Sequence, residues 1–501
     1  MAAPIDLSGK RVAVVGLGKS GLAALRFLHG RAKEVIGCDD RDEAALKSGL
    51  ETLGEIYQRP SKSLRLSLGG LRAEVLTACD LIILSPGVHP ACAPIVQARA
   101  AGVPITGEVE LAARFIAAPI VGITGTNGKS TVTSLCGAIA AEVAQESGRK
   151  SFCGGNLGTP LIEVVGTHAA DADGIVVCEL SSYQLETADS LHCRAGAILN
   201  LTPDHLDRYA SLAAYGDAKA RILRNQTPAD VLVWNLDDPE VAALLQRASC
   251  GNPSRYAFSL RDESAAGTVI GDALRLRLPQ GEERYPISEL KLIGRHNLAN
   301  VLAAFLLMRA SGLATCEQVR RAARGFQALP HRMQLIAEVA GIRYYDDSKG
   351  TNVDAVVAGL DGFPRPLALI AGGRHKGGSY APLRAVLERG ATRAVVVIGE
   401  AAPLLAEALG GCAFPVRRAQ TLELAVAEAA AFCQPGDAVV LSPACSSFDM
   451  FRDYAHRAAV FASAVAALNA KAPEGPATNA AGANPAYSVE AGPEIRPEVR
   501  L

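Results

Sequence analysis

Lys129, Ser130 and Thr131 follow glycines at 125 and 128, giving the run Gly125-Thr126-Asn127-Gly128-Lys129-Ser130-Thr131. These residue types can hold a nucleoside triphosphate. Glycines let backbone amides approach phosphate, Lys129 supplies a point charge, and the Ser130 or Thr131 hydroxyl can reach Mg2+. The usual phosphate loop has glycine, four residues, then Gly-Lys-Ser/Thr. Here Ile123 occupies the first position and Gly122 comes one residue early, so the spacing fits a variant loop. The alternative is a glycine-rich turn with an exposed lysine.

Two further groups end apolar runs. "GIVVCE" leads into Glu179 and "AGAILNLTPDH" into His205, which Asp204 and Asp207 flank. A carboxylate at the carboxyl end of a buried strand can hold Mg2+ as a Walker-B acid does. A helix cap or surface group is its alternative. Glu and His on two strand ends beside a phosphate loop suggest two metal sites. Gly16, Gly18 and Gly21 form a second nucleotide pattern, G-x-G-x-x-G, with Asp39 at the end of the next strand-like run. The pattern fits NAD, yet glycines and a helix N-terminus accept any nucleoside diphosphate.

Such groups need strand ends to carry them, and the chain has them. "RVAVVG", "EVIGCDD" and "CDLIILSPGV" alternate with helical stretches, as do "PIVGITG", "DGIVVCELSS", "AGAILN" and "DVLVWNLDD". A third cycle has "IRYYDDS", "LALIAGG", "RAVVVIGE" and "DAVVLSPACSS" between alanine-rich helices. The period is that of doubly wound parallel sheets. The β-rich patch "GTVIGDALRLRLPQGEERYPI" interrupts the middle cycle.

At 501 residues the chain is too long for one core, and about three domains are expected. Boundaries fall near residues 115 and 330. A Pro-, Gly- and Ala-rich tail from residue 471 is expected to be disordered. Net charge is −1, which argues against nucleic acid. No uncharged apolar run reaches the ~18 residues that span a membrane. The start lacks a secretory pattern and the scattered cysteines read as reduced cytosolic thiols, so a cytoplasmic location is expected.

Taken together, "GTNGKST", "GGNLG", "ELSSYQLE", "NLTPDHLDRY", "GRHNLANVLAA", "LPHRM", "DDSKGTN" and "SPACSSFDMF" resemble the Mur ligase family over roughly residues 8 to 465. The last two point to the branch that adds D-glutamate. The resemblance implies an α/β chain of three domains: a Rossmann-like nucleotide-sugar domain, a central P-loop ATPase-like domain and a Rossmann-like amino-acid domain. It implies an amide ligase using ATP and Mg2+ through an acyl phosphate, acting as a monomer on UDP-N-acetylmuramoyl-L-alanine and D-glutamate. It also gives the short ATP loop seen here.

By resemblance, Gly18, Lys19, Ser20, Asp39, Arg41, Gly87 and Asn156 hold the nucleotide sugar. Gly125 to Thr131, Asn297, Arg332 and Asp347 hold ATP, with Ser130, Glu179 and His205 on metal. Lys349, Thr351, Lys376, Ser447 and Tyr454, in loops after strands, receive D-glutamate. Asn297 as a helix cap, Arg332 as an interdomain ion pair and the lysines as solvated groups are the alternatives. Gly350 and Tyr454 depart from the family's alanine and phenylalanine. Another ligase of the superfamily and an NAD-binding protein remain rival readings.

One inference starts from periodicity. "SLAAYGDAKARILRN" read as a helix puts Lys219 on one stripe with Leu212, Tyr215 and Ile222, where an ammonium is costly. Snorkelling to the surface is the alternative. Burial favours the neutral amine, and matching lysines in the family are carbamylated, which implies a Lys219 carbamate beside His205 and the second metal.

Overall fold

The structure is a computed structural model and describes residues 5–58, 63–206, 208–248, 251–292, 294–327 and 329–471. Asp207 and the tail beyond Lys471 lie outside the described residues. Among the described residues three sheets follow one another along the chain.

The first has five parallel strands in the spatial order Leu64–Ser67, Glu34–Cys38, Arg11–Val15, Leu81–Leu84, Ile105–Gly107. Strand order reverses between Arg11–Val15 and Leu81–Leu84, the crevice where such sheets bind ligands. The glycine pattern lies there. A Cβ on Gly21 would collide with the Gly16 carbonyl, so the turn into the helix Lys19–Leu28 requires glycine.

The middle sheet has nine strands. Ile120–Thr124 is buried at every position and lies between Ile175–Glu179 and Ala195–Ile198, parallel to both. Gly122 is therefore a strand residue, and the loop begins at Gly125. The β-rich patch forms an antiparallel extension, Gly267–Ile270, Ala273–Leu278 and Gly281–Pro286, at one edge. The helices Lys129–Ser147 and Arg295–Ala310 cover one face, the second burying every residue from Val301 to Met308.

The third sheet runs Gln334–Val339, Ile342–Asp346, Ala438–Leu441, Leu367–Gly372, Thr392–Ile398, Val416–Arg418, with only the first antiparallel among these.

The two domain seams differ. One apolar core runs unbroken from Leu7 to Leu245, joining the first sheet to one face of the middle sheet through Val109, Leu111, Ile116, Leu161 and Ile162. At that seam Glu108 accepts from the Ile162 amide at 2.6 Å. Glu110 accepts from the amides of Asp189, Ser190 and Leu191 at 2.9, 2.8 and 3.2 Å. Among the described residues the third domain keeps its own apolar clusters, which draw no residue from the other two.

Candidate functional site

The phosphate loop bridges the buried strand Ile120–Thr124 and the helix Lys129–Ser147. Gly128 caps that helix with φ of 82°, and a Cβ there would strike Asn300 Oδ1, so glycine is required twice over. The helix N-terminus has no side-chain cap, and its amides are an anion site by geometry. Lys129 is half-buried, not the exposed lysine of the alternative reading. Its Nζ donates to the carbonyls of Gly125 at 2.9 Å and Thr126 at 2.7 Å. Burial lowers its pKa against the raising effect of Glu179 and Asp204.

Glu179 ends its strand, 2% exposed. Oε1 accepts from Asn156 Nδ2 at 2.6 Å, while Oε2 is buried with no partner among the described residues. His205, at φ of 57°, shares a hydrogen bond between Nδ1 and the Tyr183 hydroxyl at 2.8 Å and lies 3.7 Å from Asp204. Burial lowers its pKa against the pull of Asp204.

Lys219 is 1% exposed, so it does not snorkel. Its helix is shorter than the stripe implied: Leu212–Ala220 ends before Ile222, which sits in the 3-10 turn Arg221–Leu223 and is buried all the same. Nζ donates to Gly125 O at 2.8 Å, so one loop carbonyl accepts from both Lys129 and Lys219. The Tyr215 ring lies 4.3 Å from Nζ and favours the ammonium. Desolvation outweighs it, and the pKa falls well below that of an ordinary lysine.

Arg332 acts on the charges of Lys129, Asp347 and Lys349. Its Nε is buried without a partner among the described residues. Asp347 is 5% exposed and accepts from the Ser442 hydroxyl at 2.5 Å. Burial pushes its pKa up to about 7. A Cβ on Gly350 would lie 2.6 Å from Asp347 Oδ2, so glycine lets this turn close on the carboxylate. Asn297 is the third residue of the helix Arg295–Ala310, whose cap is Gly294; it is not the cap itself, and it accepts from Asn300 Nδ2 at 3.2 Å.

In the third domain Lys349 lies 5.3 Å from the Tyr454 ring, and burial pushes its pKa down to about 8. Tyr454 opens the helix Tyr454–Lys471, where a loop position was expected. Lys376 Nζ donates across the seam to Asp204 Oδ1 at 3.4 Å. Ser447 is 3% exposed, and Thr351 directly follows the Gly350 turn.

All the nucleotide-sugar candidates, Gly18, Lys19, Ser20, Asp39, Arg41, Gly87 and Asn156, line one cavity of about 630 Å3 between the first and middle domains. Asp39 is already engaged. It accepts from the Leu17 amide at 2.6 Å and from Arg41 Nε at 2.9 Å, bonds that outweigh burial and hold its pKa below the usual carboxylate value. Asp40 lines the same cavity.

Several site residues escaped the sequence reading. Asn200 clasps the Asn127 main chain, accepting from its amide at 2.7 Å and donating to its carbonyl at 3.0 Å. Asn300 backs Gly128. Arg457, fully buried, donates to Ser348 Oγ at 3.0 Å and to the Cys445 carbonyl at 3.3 Å, tying the Lys349 turn to the Ser447 loop. A signal existed for it: Arg457 shares a helical stripe with the buried Phe461 and Val465, the argument already applied to Lys219.

Family models described as Mur ligase MurD-like N-terminal domain, Mur ligase middle domain and Mur ligase glutamate ligase domain match residues 10–107, 123–308 and 331–445. The chain is 44% identical to the UDP-N-acetylmuramoylalanine--D-glutamate ligase of Geobacter metallireducens, covering 93% of this chain and 99% of that protein. It is 45% identical to the protein of the same name from Anaeromyxobacter dehalogenans, over 92% and 98% of the two chains. Among solved structures, UDP-N-acetylmuramate-alanine ligase MurC from Thermotoga maritima superposes with a TM-score of 0.57 at 20% identity, covering 91% of this chain and 99% of that one. MurF ligase from the same organism, in complex with ADP, gives 0.57 at 15%, over 93% and 96% of the chains. At those identities the likeness is one of fold.

Proposed function

The chain belongs to the Mur ligase family, and on that premise we infer that it is an ATP-dependent ligase joining D-glutamate to UDP-N-acetylmuramoyl-L-alanine in peptidoglycan precursor synthesis. The observation that carries the choice of substrates is its 44% identity, over 93% of its length, to relatives named for that reaction. A carboxylate oxygen of the sugar peptide attacks the γ-phosphorus, ADP departs, and the resulting acyl phosphate is attacked by the amine of D-glutamate with loss of phosphate.

We assign residues 1–114 to the nucleotide sugar, 115–330 to ATP and 331–470 to the amino acid. Lys129 turns from the loop carbonyls to the phosphates, where its charge offsets charge developing on the transferred group. Arg332 adds a second cation, Asn297 reaches ATP, and Asp347 receives the ribose. Lys349 and Lys376 match the two carboxylates of D-glutamate, with Thr351, Ser447 and Tyr454 around them. Closure of the third domain over this set keeps water from the acyl phosphate.

The donors fit Mg2+. Glu179 offers a buried oxygen that lacks a partner, and the described residues contain no cluster of three or more His, Cys, Asp or Glu able to hold a metal alone. Mg2+ takes one or two carboxylates and completes its shell with substrate phosphates and water. A first ion held by Ser130 and Glu179 and a second held by His205 and a carbamylated Lys219 would neutralise charge on the transferring phosphoryl group. The neutral Lys219 amine adds to carbon dioxide and releases a proton. The carbamate keeps one N–H, enough to retain the bond to Gly125 O.

No helix among the described residues is long and apolar enough to cross a membrane, and the described cysteines are free thiols. The free thiols fit a cytoplasmic location, and the monomeric state rests on the family resemblance alone. Phosphate release is measured with UDP-N-acetylmuramoyl-L-alanine, ATP and a panel of amino acids. Release with D-glutamate is expected; release only with another amino acid overturns the reading.

A further inference from the structure

Asn352 closes the turn that carries Lys349 and Thr351, and it is 9% exposed. Its Oδ1 caps the helix Val353–Leu360 by accepting from the Ala355 amide at 2.8 Å, and it accepts a second bond from Asn127 Nδ2 at 3.3 Å. Its Nδ2 donates to Asn127 Oδ1 at 3.1 Å and to Asp204 Oδ2 at 3.3 Å. A primary amide has two donors and two acceptor positions, and all four are used. The orientation is forced: turned over, Oδ1 would face the Asp204 carboxylate and the helix would lose its cap.

The partner is as telling as the bonds. Asn127 belongs to the phosphate loop, and Asn200 of the middle sheet clasps its main chain from the other side. Its side chain is thus left to the third domain. Asp204, the other acceptor, also receives Lys376 of that domain. One amide therefore links the turn bearing the amino-acid residues to the loop bearing the ATP residues.

We propose that Asn352 is a positioning residue that holds Asn127, and so the phosphate loop, in place when the third domain is seated, making nucleotide and amino-acid affinities interdependent. The inference rests on the third domain receiving D-glutamate. Linkage is reciprocal, so each ligand tightens the other by the same factor.

Calorimetric titration with a non-hydrolysable ATP analogue, in the presence of the sugar substrate and with or without D-glutamate, tests it. For the parent, D-glutamate is expected to tighten the analogue by roughly five-fold or more. In Asn352→Ser, which keeps a helix cap but cannot span the seam, that gain is lost. Its melting temperature stays within about 1 °C of the parent, and the loss of turnover lies mainly in KM for D-glutamate. Asn352→Asp keeps cap and size while exchanging both donors for acceptors, and loses the gain as well. An undiminished gain in either folded variant, or no gain in the parent, overturns the proposal. A parent that releases no phosphate with D-glutamate faults the functional reading instead.

Discussion

The seam between the first and middle domains is an apolar core, and the seam between the middle and third is a set of amides and charges. The first buries Leu161 and Ile162 with the strands of both sheets. The second is held by Asn127, Asn352, Asp204 and Lys376, each of which water could satisfy if the surfaces parted. Apolar burial is lost wholesale on separation, whereas polar contacts exchange for water at small net cost. One seam is suited to permanence and the other to a cycle of opening and closing, and residues proposed for ATP and for the amino acid meet at the second.

The largest expected effect tests whether the phosphate loop beside the polar seam serves turnover and not the fold. Lys129→Ala should lower phosphate release by at least ~10³, about 4 kcal/mol in the barrier, with the melting temperature within about 2 °C of the parent. A fall of many degrees would erase the distinction between the seams. Leu161→Ala should do the reverse. Its side chain is 0% exposed, so truncation costs about 2–5 kcal/mol in chemical denaturation while the folded fraction keeps turnover within about two-fold.

A third test sharpens the account of the apolar seam. Glu108 is buried with Oε2 unpartnered among the described residues, and burial pushes its pKa up to about 7. A carboxyl whose folded pKa is raised binds its proton more tightly when folded. Its contribution is full below the unfolded value near 4.5 and is lost as pH rises through about 7. The parent should thus lose about 3 kcal/mol of stability between those limits relative to Glu108→Gln, read from unfolding at stepped pH. Equal slopes would remove the buried charge from the account. The smallest effect belongs to Arg26 and Glu163, which span the same seam with side chains 39% and 34% exposed. Arg26→Ala should cost less than about 1 kcal/mol, and less still in high salt.

Strands with unbroken apolar runs, such as Arg11–Val15 and Ile120–Thr124, were legible because both faces are covered. Leu64–Ser67 and Val416–Arg418 were not: they are short edge strands carrying arginine, and only tertiary pairing makes them strands. The phosphate loop and Glu179 could be read because a strand end delivers each, whereas His205 lies in a loop seven residues past the strand Ala195–Ile198, not on its end as expected. Asn352 could not, because an amide leaves no periodic trace and its partner Asn127 stands 225 positions away. Lys219 was readable as a misfit on an apolar stripe even though its helix ends sooner than the stripe suggested.

The separate cores of the third domain have a consequence in mass action. Among the described residues the backbone is that domain's only covalent link to the rest, and such a tether holds its partner at an effective concentration on the order of millimolar. Contacts too weak to assemble two free proteins then suffice to close the cleft, and the same weakness lets it reopen. Evolution could adjust how often the cleft closes by altering the connecting chain without touching a residue that meets substrate.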